Sequence, residues 1–228
     1  MTPGVPALAI DGVSMRYPNS SCAVLDACSL TVARGERVAL LGLNGSGKTT
    51  LLLAIAGLLP FAGSITVDGV VLSTATIDAV RSRLGLLFSN PEDQLLFPRV
   101  RDDVGYALVR GGVEAEEVRR RAEGMMEAMG IAGLADASPY ELSHGQKLRT
   151  ALAGALIHEP SLLLLDEPSS ALDPPGRRVL ADLLRERPGA MVIATHDLEF
   201  ARWCCTRFVV IGGGRVVRDT TDPEEIRF

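Results

Sequence analysis

The sequence predicts an α/β fold in which a parallel sheet follows a small β region and is interrupted by a block of helices. Four leucines at residues 162–165, between Pro160 and Pro168, are typical of a strand buried on both faces inside a parallel sheet. A glycine-rich segment at residues 42–49 joins another apolar strand to a helix. Residues 89–158 then carry mainly helical patterns between two strands. These observations predict one core with an inserted helical subdomain.

Composition limits the function classes. The 228 residues suit one domain, or one domain with an inserted subdomain, and 47% hydrophobic residues suffice for a packed core. A net charge of -5 and only 4% aromatic residues argue against nucleic acid as a partner. The four cysteines show no metal-ligand spacing, which favours a reduced, cytosolic compartment.

Nothing in the sequence predicts a membrane segment. The first residues lack a basic region followed by an apolar stretch, so we expect no signal peptide. The most apolar window, residues 51–61, is broken by Pro60 and is too short to span a bilayer. We therefore expect a soluble protein that reaches a membrane only through a partner.

The first part of the chain is predicted to be β structure. Strand patterns occupy residues 6–10, 29–32, 37–41 and 83–88, and residues 63–71 form a hairpin-like pair. Tyr17 lies between Arg16 and Pro18, outside any apolar periodicity. By itself it is typical of an exposed loop tyrosine.

The segment GLNGSGKT at residues 42–49 predicts a nucleoside triphosphate site. It follows a strand and precedes a helix predicted over residues 50–59, which is the context that this phosphate-binding motif requires. Glycines let backbone N–H groups surround phosphate oxygens at the positive end of a helix. Lys48 supplies a charge for the β- and γ-phosphates, and Thr49 supplies a hydroxyl for Mg²⁺.

Two acids follow the leucine strand. Asp166 and Glu167 are predicted to lie at the carboxyl edge of the sheet, where open α/β folds bind ligands. An acidic pair there is unfavourable unless a metal or a reacting water uses it. We expect Asp166 to hold Mg²⁺ and Glu167 to polarise the attacking water, with Lys48 completing a hydrolysis site.

Helical patterns dominate the inserted region. After a polar loop at residues 89–97, helices are predicted over residues 101–110, 114–130 and 144–158. Ser143 is the expected N-cap of the third helix, with Gly145 and Gln146 in its first turn. A capped helix start of this kind is also a possible anion site. The predicted division is a helical subdomain at residues 89–158 and a core at residues 1–88 and 159–228.

The order of motifs resembles that of the ATPase subunit of an ATP-binding cassette (ABC) transporter. GLNGSGKT resembles its phosphate loop, LSHGQ at residues 142–146 its signature, and LLLLDEP at residues 162–168 its magnesium and catalytic segment. Residues 170–173 resemble the loop that crosses to the partner subunit, and residues 195–197 contain its switch histidine. The resemblance covers essentially the whole chain and implies the fold of that family: a RecA-like P-loop core, an antiparallel β subdomain and a helical subdomain.

The resemblance also implies roles for individual residues. Tyr17 would stack on adenine, Glu167 would act on water, and His196 would sense the γ-phosphate. The phosphates and Mg²⁺ would be held by Asn44, Gly45, Ser46, Gly47, Lys48, Thr49 and Thr50. Ser143, Gly145 and Gln146 would face the nucleotide of a second subunit, so the resemblance implies a dimer that encloses two ATP molecules.

A narrower resemblance concerns the loop after residue 88. NPEDQLLF at residues 90–97, followed by VRDDVGYA at residues 100–107, is similar to ATPases of energy-coupling factor importers of vitamins, cobalt or nickel. Such an ATPase would lie peripherally on the cytoplasmic face of a prokaryotic cell membrane. Its partners would be a membrane coupling protein, whose short helices dock in grooves on the ATPase, and a small substrate-binding membrane subunit. Another ABC importer is the alternative.

Two positions depart from the family pattern. Ser89 stands where the family usually has a glutamine that contacts Mg²⁺ and water, and His144 stands where glycine is commoner. Our hypothesis is that a water molecule, or Gln94 after a loop shift, replaces the missing glutamine. Only residues 212–228 follow the last strand pattern, so we expect dimer contacts to depend mainly on ATP and on the membrane partner.

Other function classes fit less well. A soluble ABC protein of DNA repair or translation usually has two cassettes, a coiled-coil insertion or basic surfaces. A regulatory module without turnover conflicts with the intact Lys48, Asp166, Glu167 and His196, although Ser89 favours it slightly. A small-molecule kinase has no use for LSHGQ. The cargo stays open between biotin, marginally favoured, cobalt and nickel, and a homodimer is simpler than a pair with a related ATPase.

Overall fold

The computed structural model describes residues 4–18, 20–170 and 172–226, which form two sheets and seven α-helices. The strands, numbered in chain order, are β1 (Leu8–Met15), β2 (Leu25–Val32), β3 (Arg37–Leu41), β4 (Ala62–Val67), β5 (Val70–Val71), β6 (Leu84–Leu87), β7 (Leu162–Asp166), β8 (Ala190–Thr195), β9 (Arg207–Gly212) and β10 (Arg215–Thr220). The helices are α1 (Lys48–Ile55), α2 (Ile77–Arg81), α3 (Val100–Arg110), α4 (Ala115–Ala128), α5 (His144–Leu156), α6 (Pro174–Glu186) and α7 (Leu198–Cys204).

The core is a six-stranded sheet with the order β10-β9-β3-β8-β7-β6. Its strands are parallel except for β10, which pairs antiparallel with β9. A separate four-stranded antiparallel sheet has the order β2-β1-β4-β5. The predicted fold class is therefore confirmed.

The central strands bury both faces, as the leucine run predicts. In β3, Val38 and Leu40 pack with the four-stranded sheet and α1, whereas Ala39 and Leu41 pack with the helices on the other face. The same alternation divides the buried residues of β7 and β8. Because successive strand residues point to opposite faces, a strand with cores on both sides must be apolar throughout.

Strand register brings the functional segments to one edge of this sheet. Asp166, the last residue of β7, pairs with Ala194 of β8. On the other side of β8, Thr195 pairs with Leu41, the last residue of β3. The loops after β3, β7 and β8 therefore start at the same height.

Helix α1 is shorter than predicted at its C-terminal end. It spans Lys48–Ile55 instead of residues 50–59, because Gly57 adopts a positive φ of 65°. The N–H groups of Gly57 and Leu58 donate to the carbonyls of Ala54 and Leu53, at 3.0 and 2.9 Å. This pair of bonds is a Schellman motif, which ends helices at a glycine.

Three helices lie between β6 and β7. Helices α3, α4 and α5 correspond to the three predicted helices, with α4 and α5 each ending two residues earlier. Small residues let them approach closely: a Cβ on Gly105 would lie 2.9 Å from Val118, and one on Gly154 would lie 3.2 Å from the carbonyl oxygen of Asp103. The polar loop at residues 89–97 contains a 3₁₀ turn, Pro91–Gln94.

The sequence analysis did not predict helices α2, α6 and α7. Local signals for the last two exist. Asp173 caps α6 through the N–H of Gly176 and precedes two prolines, a favoured helix start. Asp197 caps α7 through the N–H of Phe200. Within residues 4–18, 20–170 and 172–226, no helix is both long and apolar enough to cross a membrane.

Candidate active site

The loop between β3 and α1 depends on glycine at two positions. Gly42 and Gly47 have φ angles of 154° and 105°. A Cβ on Gly42 would lie 2.4 Å from the carbonyl oxygen of Ile211, and one on Gly47 would lie 2.8 Å from that of Val24. Side chains at these positions would therefore clash with backbone, as well as strain the loop.

The rest of the loop presents polar groups at the helix start. Asn44 and Gly45 are exposed at its tip, and the hydroxyl of Ser46 is buried without a hydrogen-bond partner. Lys48 is only 6% exposed, and its Nζ donates to the carbonyl oxygens of Gly42 at 2.8 Å and Leu43 at 3.3 Å. The loop thus holds the ammonium group in a fixed place beside its own N–H groups.

Asp166 and Thr49 form the part of the site that suits a metal. The Thr49 hydroxyl donates to Oδ2 of Asp166 at 2.8 Å, across 117 residues of sequence. Asp166 is 3% exposed, and its Oδ1 has no hydrogen-bond partner. Burial raises the pKa of Asp166, against the lowering effect of the Thr49 hydrogen bond. A buried carboxylate with a free oxygen, beside an exposed threonine, is a fitting oxygen donor set for Mg²⁺.

Glu167 is held by the end of β8. Its backbone has a φ of 46°, in the left-handed region, and its N–H donates to the carbonyl oxygen of Ala194 at 2.8 Å. The Thr195 hydroxyl donates to Oε2 at 2.9 Å, and Nδ1 of His196 lies 3.0 Å from Oε1. Since a carboxylate only accepts, Nδ1 is the donor. Nζ of Lys48 lies 3.9 Å from Oε1. Contacts from three side chains thereby fix the orientation of the carboxylate.

The segment that carries His196 is itself braced. Asp197 caps α7, and its Oδ2 pairs with Nη1 of Arg177 in α6 at 3.0 Å. The N–H of Asp197 donates to the Thr195 hydroxyl at 3.0 Å. Sequence reasoning assigned no role to Thr195 or Arg177. The position of Thr195 at the end of a buried strand could have indicated a role in the site. No local sequence feature indicates a role for Arg177.

Tyr17 lies next to the start of α1. Its hydroxyl is 3.4 Å from that of Thr50, which is buried, and the tyrosine is 40% exposed. The structure thus brings Tyr17 to the loop that it was predicted to serve. Its stacking on adenine stays a prediction.

The signature segment is separate from this group within the chain. The Ser143 hydroxyl accepts from the N–H of Gln146 at 3.4 Å, and the Gln146 side chain accepts from the N–H of Ser143 at 2.8 Å. This is a capping box at the start of α5. In the described part of the chain, no hydrogen bond joins Ser143, Gly145 or Gln146 to the phosphate loop or to Glu167. Of the predicted crossing loop at residues 170–173, Ala171 lies outside the described residues.

Gln94 is hydrogen-bonded away from the metal site in this structure, so the hypothesis that it replaces the missing glutamine still requires a loop shift. Oε1 of Gln94 accepts from the N–H of Phe88 at 2.9 Å, and Nε2 donates to the carbonyl oxygens of Leu86 and Ala151, both at 3.4 Å. A loop shift would break these bonds. Burial raises the pKa of Asp166. Ser89 opposes this rise, but less than Thr49 does.

The fold and this arrangement define a P-loop nucleoside triphosphate hydrolase. The family model described as ABC transporter matches residues 25–170. A protein of Streptomyces coelicolor, provisionally named an ABC transporter ATP-binding protein, is 41% identical over 221 residues, covering 95% of this chain and 84% of that protein. One of Gloeobacter violaceus with the same provisional name is 44% identical over 218 residues, covering 94% and 89%. The chain belongs to the ABC transporter ATP-binding family, so it is a transport ATPase that binds and hydrolyses ATP.

Solved structures show the same fold. CbiO1 from Clostridium perfringens, part of the ABC transporter complex CbiONQ, superposes with a TM-score of 0.83 at 32% identity, covering 96% of this chain and 90% of that one. The ATP-binding cassette MJ0796, solved as a dimer in a post-hydrolysis state with ADP and phosphate, also gives 0.83, at 28% identity, covering 94% and 98%. The predicted family is confirmed.

Proposed function

We propose that this chain powers an importer of the energy-coupling factor type, as one of two ATPases docked on a membrane coupling protein. The observation that carries this is the likeness to CbiO1, which is part of a CbiONQ complex. The loop NPEDQLLF at residues 90–97 supports the same subclass. The cargo would be a vitamin such as biotin, or cobalt or nickel.

The phosphate loop would bind ATP at the end of β3. Residues 44–50 surround the phosphates with N–H groups, and Lys48 neutralises charge on the β- and γ-phosphates. Thr49 and the free oxygen of Asp166 would hold Mg²⁺, directly or through water. The ion, when bound, supplies charge for the phosphoryl group in the transition state.

Glu167 would act on the attacking water. Thr195 and His196 each occupy one of its carboxylate oxygens, and each oxygen retains a lone pair to accept a proton from water. Their hydrogen bonds fix the direction of the carboxylate, and in-line attack depends on such positioning. His196, at the exposed end of this network, would contact the γ-phosphate.

The dimer would complete each site. Ser143, Gly145 and Gln146 lie apart from the chain's own phosphate loop, so we propose that they contact the nucleotide of the second subunit. The dimeric structure of MJ0796 supports this arrangement. The second subunit would be another copy of this chain or a related ATPase.

A groove between the core and the helical region suits the membrane partner. Its volume is about 900 Å³, and its lining includes Leu58, Leu86, Phe88 and the half-exposed Tyr106. We propose that a short helix of the coupling protein docks there, which places this chain on the cytoplasmic face of the membrane. Residues 89–158 would then move as one helical unit with that partner.

Co-purification tests this proposal. The tagged chain is recovered from detergent-solubilised membranes of its host, and its partners are identified by mass spectrometry. We expect a coupling membrane protein together with a small vitamin- or metal-binding membrane subunit. A Tyr106→Glu variant should lose them, whereas Tyr140→Glu, at a residue that is 90% exposed outside the groove, should keep them.

Other partners would change the conclusion. Recovery of large paired permeases would still support a transporter function, but it would exclude the energy-coupling subclass. Soluble partners alone would contradict the proposed membrane assembly.

A further inference from the structure

Lys147 occupies an unfavourable place for a cation. It lies in the first turns of α5, three residues after His144, where the helix dipole is positive. Its side chain is 13% exposed, and the first turn of α5 contains no acidic residue. A cation at this position is favoured by an anion from elsewhere in the fold, and the resulting ion pair is exposed to solvent.

Glu92 supplies that anion from the loop after β6. Oε1 of Glu92 lies 2.5 Å from Nζ of Lys147, although 55 residues separate them in sequence. The hydrogen bond and the charge of Lys147 lower the pKa of Glu92, and the charge of His144 in the signature adds weakly. The loop and the signature segment therefore meet through this pair.

The turn that carries Glu92 is rigid in itself. Asn90 caps it, since Oδ1 accepts from the N–H of Glu92 at 3.3 Å and Nδ2 donates to Asp93 at 3.1 Å. Gln94 at its end donates to the carbonyl oxygen of Ala151 at 3.4 Å, one helical turn beyond Lys147. Two contacts on successive turns of α5 therefore join this turn to that helix.

The other end of the loop lies at the metal site. Strand β6 ends at Leu87, which pairs with Leu165, the residue before Asp166 in β7. The loop that begins after Leu87 therefore starts beside Asp166, and it reaches the start of α5 through the Glu92–Lys147 pair.

We propose that the Glu92–Lys147 ion pair is a positioning contact, which couples the loop beside the chain's own nucleotide site to the signature residues that face the second subunit. The inference rests on the proposed two-subunit ATPase. Neither residue acts on ATP directly: Glu92 places the loop, and Lys147 places residues 143–146.

Charge-matched variants test the pair. Lys147→Gln and Glu92→Gln each remove one charge at similar length, the double variant removes both, and Lys147→Arg keeps the cation. Arg120→Gln is the control, because it removes an ion pair with Glu117 that lies exposed on α4. Each variant is assayed for kcat, for ATP affinity at a protein concentration that keeps it monomeric, and for amide exchange at residues 89–97.

We expect either single charge removal to lower kcat by roughly fivefold, in the range of coupling between sites. Affinity for ATP should stay the same, because the phosphate loop is untouched. Amide exchange at residues 89–97 should become faster in either single variant. The double variant should lose no more kcat than either single variant, and Lys147→Arg should keep the wild-type kcat.

Unchanged exchange at residues 89–97, or additive losses of kcat in the double variant, would overturn the inference. An equal loss in Lys147→Arg would do the same, because it would indicate packing of the lysine stem. If the wild-type chain hydrolysed no ATP, the proposed function would be contradicted. The exchange measurement alone would then show whether the ion pair positions residues 89–97.

Discussion

The catalytic edge and the signature segment are positioned in opposite ways. Asp166 and Glu167 at the catalytic edge are held by side chains of distant segments: Thr49 contacts the first, and Thr195 and His196 contact the second. The signature satisfies its own backbone through the Ser143–Gln146 capping box. The side chains that hold the two acids all belong to this chain, whereas the hydrogen bonds of the signature are local to the start of α5.

The difference follows from where each region lies. Sheet register fixes the catalytic edge, because β3, β7 and β8 end together. The start of α5 lies on an inserted helical region, and α5 contacts the loop after β6 through an ion pair and a side-chain amide. An edge fixed by sheet register suits chemistry that requires precise placement, and a helix start outside that sheet suits the contact with a second subunit that we propose for it.

The largest expected effect is at Glu167. It tests whether Glu167, at the catalytic edge, is the group that accepts the proton of the attacking water. Glu167→Gln keeps an oxygen that accepts from Thr195, but it cannot take a proton from water. We expect kcat to fall by about 10²-fold or more, the usual contribution of a positioned base, while ATP binding persists. Glu127→Gln, on the exposed side of α4, is the control. A loss below tenfold would assign water activation elsewhere.

We expect a substitution in the signature to lower the activity of the dimer without affecting the folding or ATP binding of the single chain. A Cβ on Gly145 meets nothing within 4 Å, so Gly145→Asp should fold and bind ATP normally. Its carboxylate would oppose the phosphates of the second subunit, and we expect about a 10²-fold loss of kcat, as for other groups that stabilise a charged transition state.

Mixing sharpens this prediction. Lys48→Met disables the phosphate loop, so it should also be inactive alone. A mixture of the two variants contains one dimer type in which an intact phosphate loop faces an intact signature, and activity should partly return. Absence of recovery, with both variants folded by circular dichroism, would contradict the shared site.

The sequence predicted most of the catalytic edge because its signals are local. GLNGSGKT and the acid pair each follow an apolar strand, so the parallel sheet brings them to one edge. It did not predict the left-handed backbone at Glu167 or the hydrogen bond from Thr195, which depends on the pairing of two distant strands. It offered a water molecule, or Gln94 after a loop shift, in place of the missing glutamine, and it did not predict that backbone groups of Phe88, Leu86 and Ala151 hold the Gln94 side chain.

Element ends were missed for a different reason. The prediction extended α1 to residue 59, although Gly57 gave a local stop signal. The Glu92–Lys147 pair has no local signal at all, because it joins residues that only the fold brings together. Long-range pairs therefore account for side-chain contacts of the site that the sequence alone left out, and overlooked local signals account for the missed helix ends.

The smallest expected effect concerns the joint between the two regions, where His158 follows α5. Its Nε2 lies 2.9 Å from the carbonyl oxygen of Leu84 and must donate to it, so Nδ1 is buried without a partner. Burial lowers the pKa of His158, and the charges of Arg187 and Arg121 add to this. The unfolded chain then binds the proton more readily than the folded chain does. The free energy of unfolding should therefore fall as pH drops below about 6.5, the usual histidine value, and stay flat with respect to this group above it.

Chemical denaturation between pH 5 and pH 8 measures this slope. His158→Gln should reduce this slope, because the variant cannot be protonated at this position. Equal slopes in the variant and the wild type would show that folding does not lower the pKa of His158.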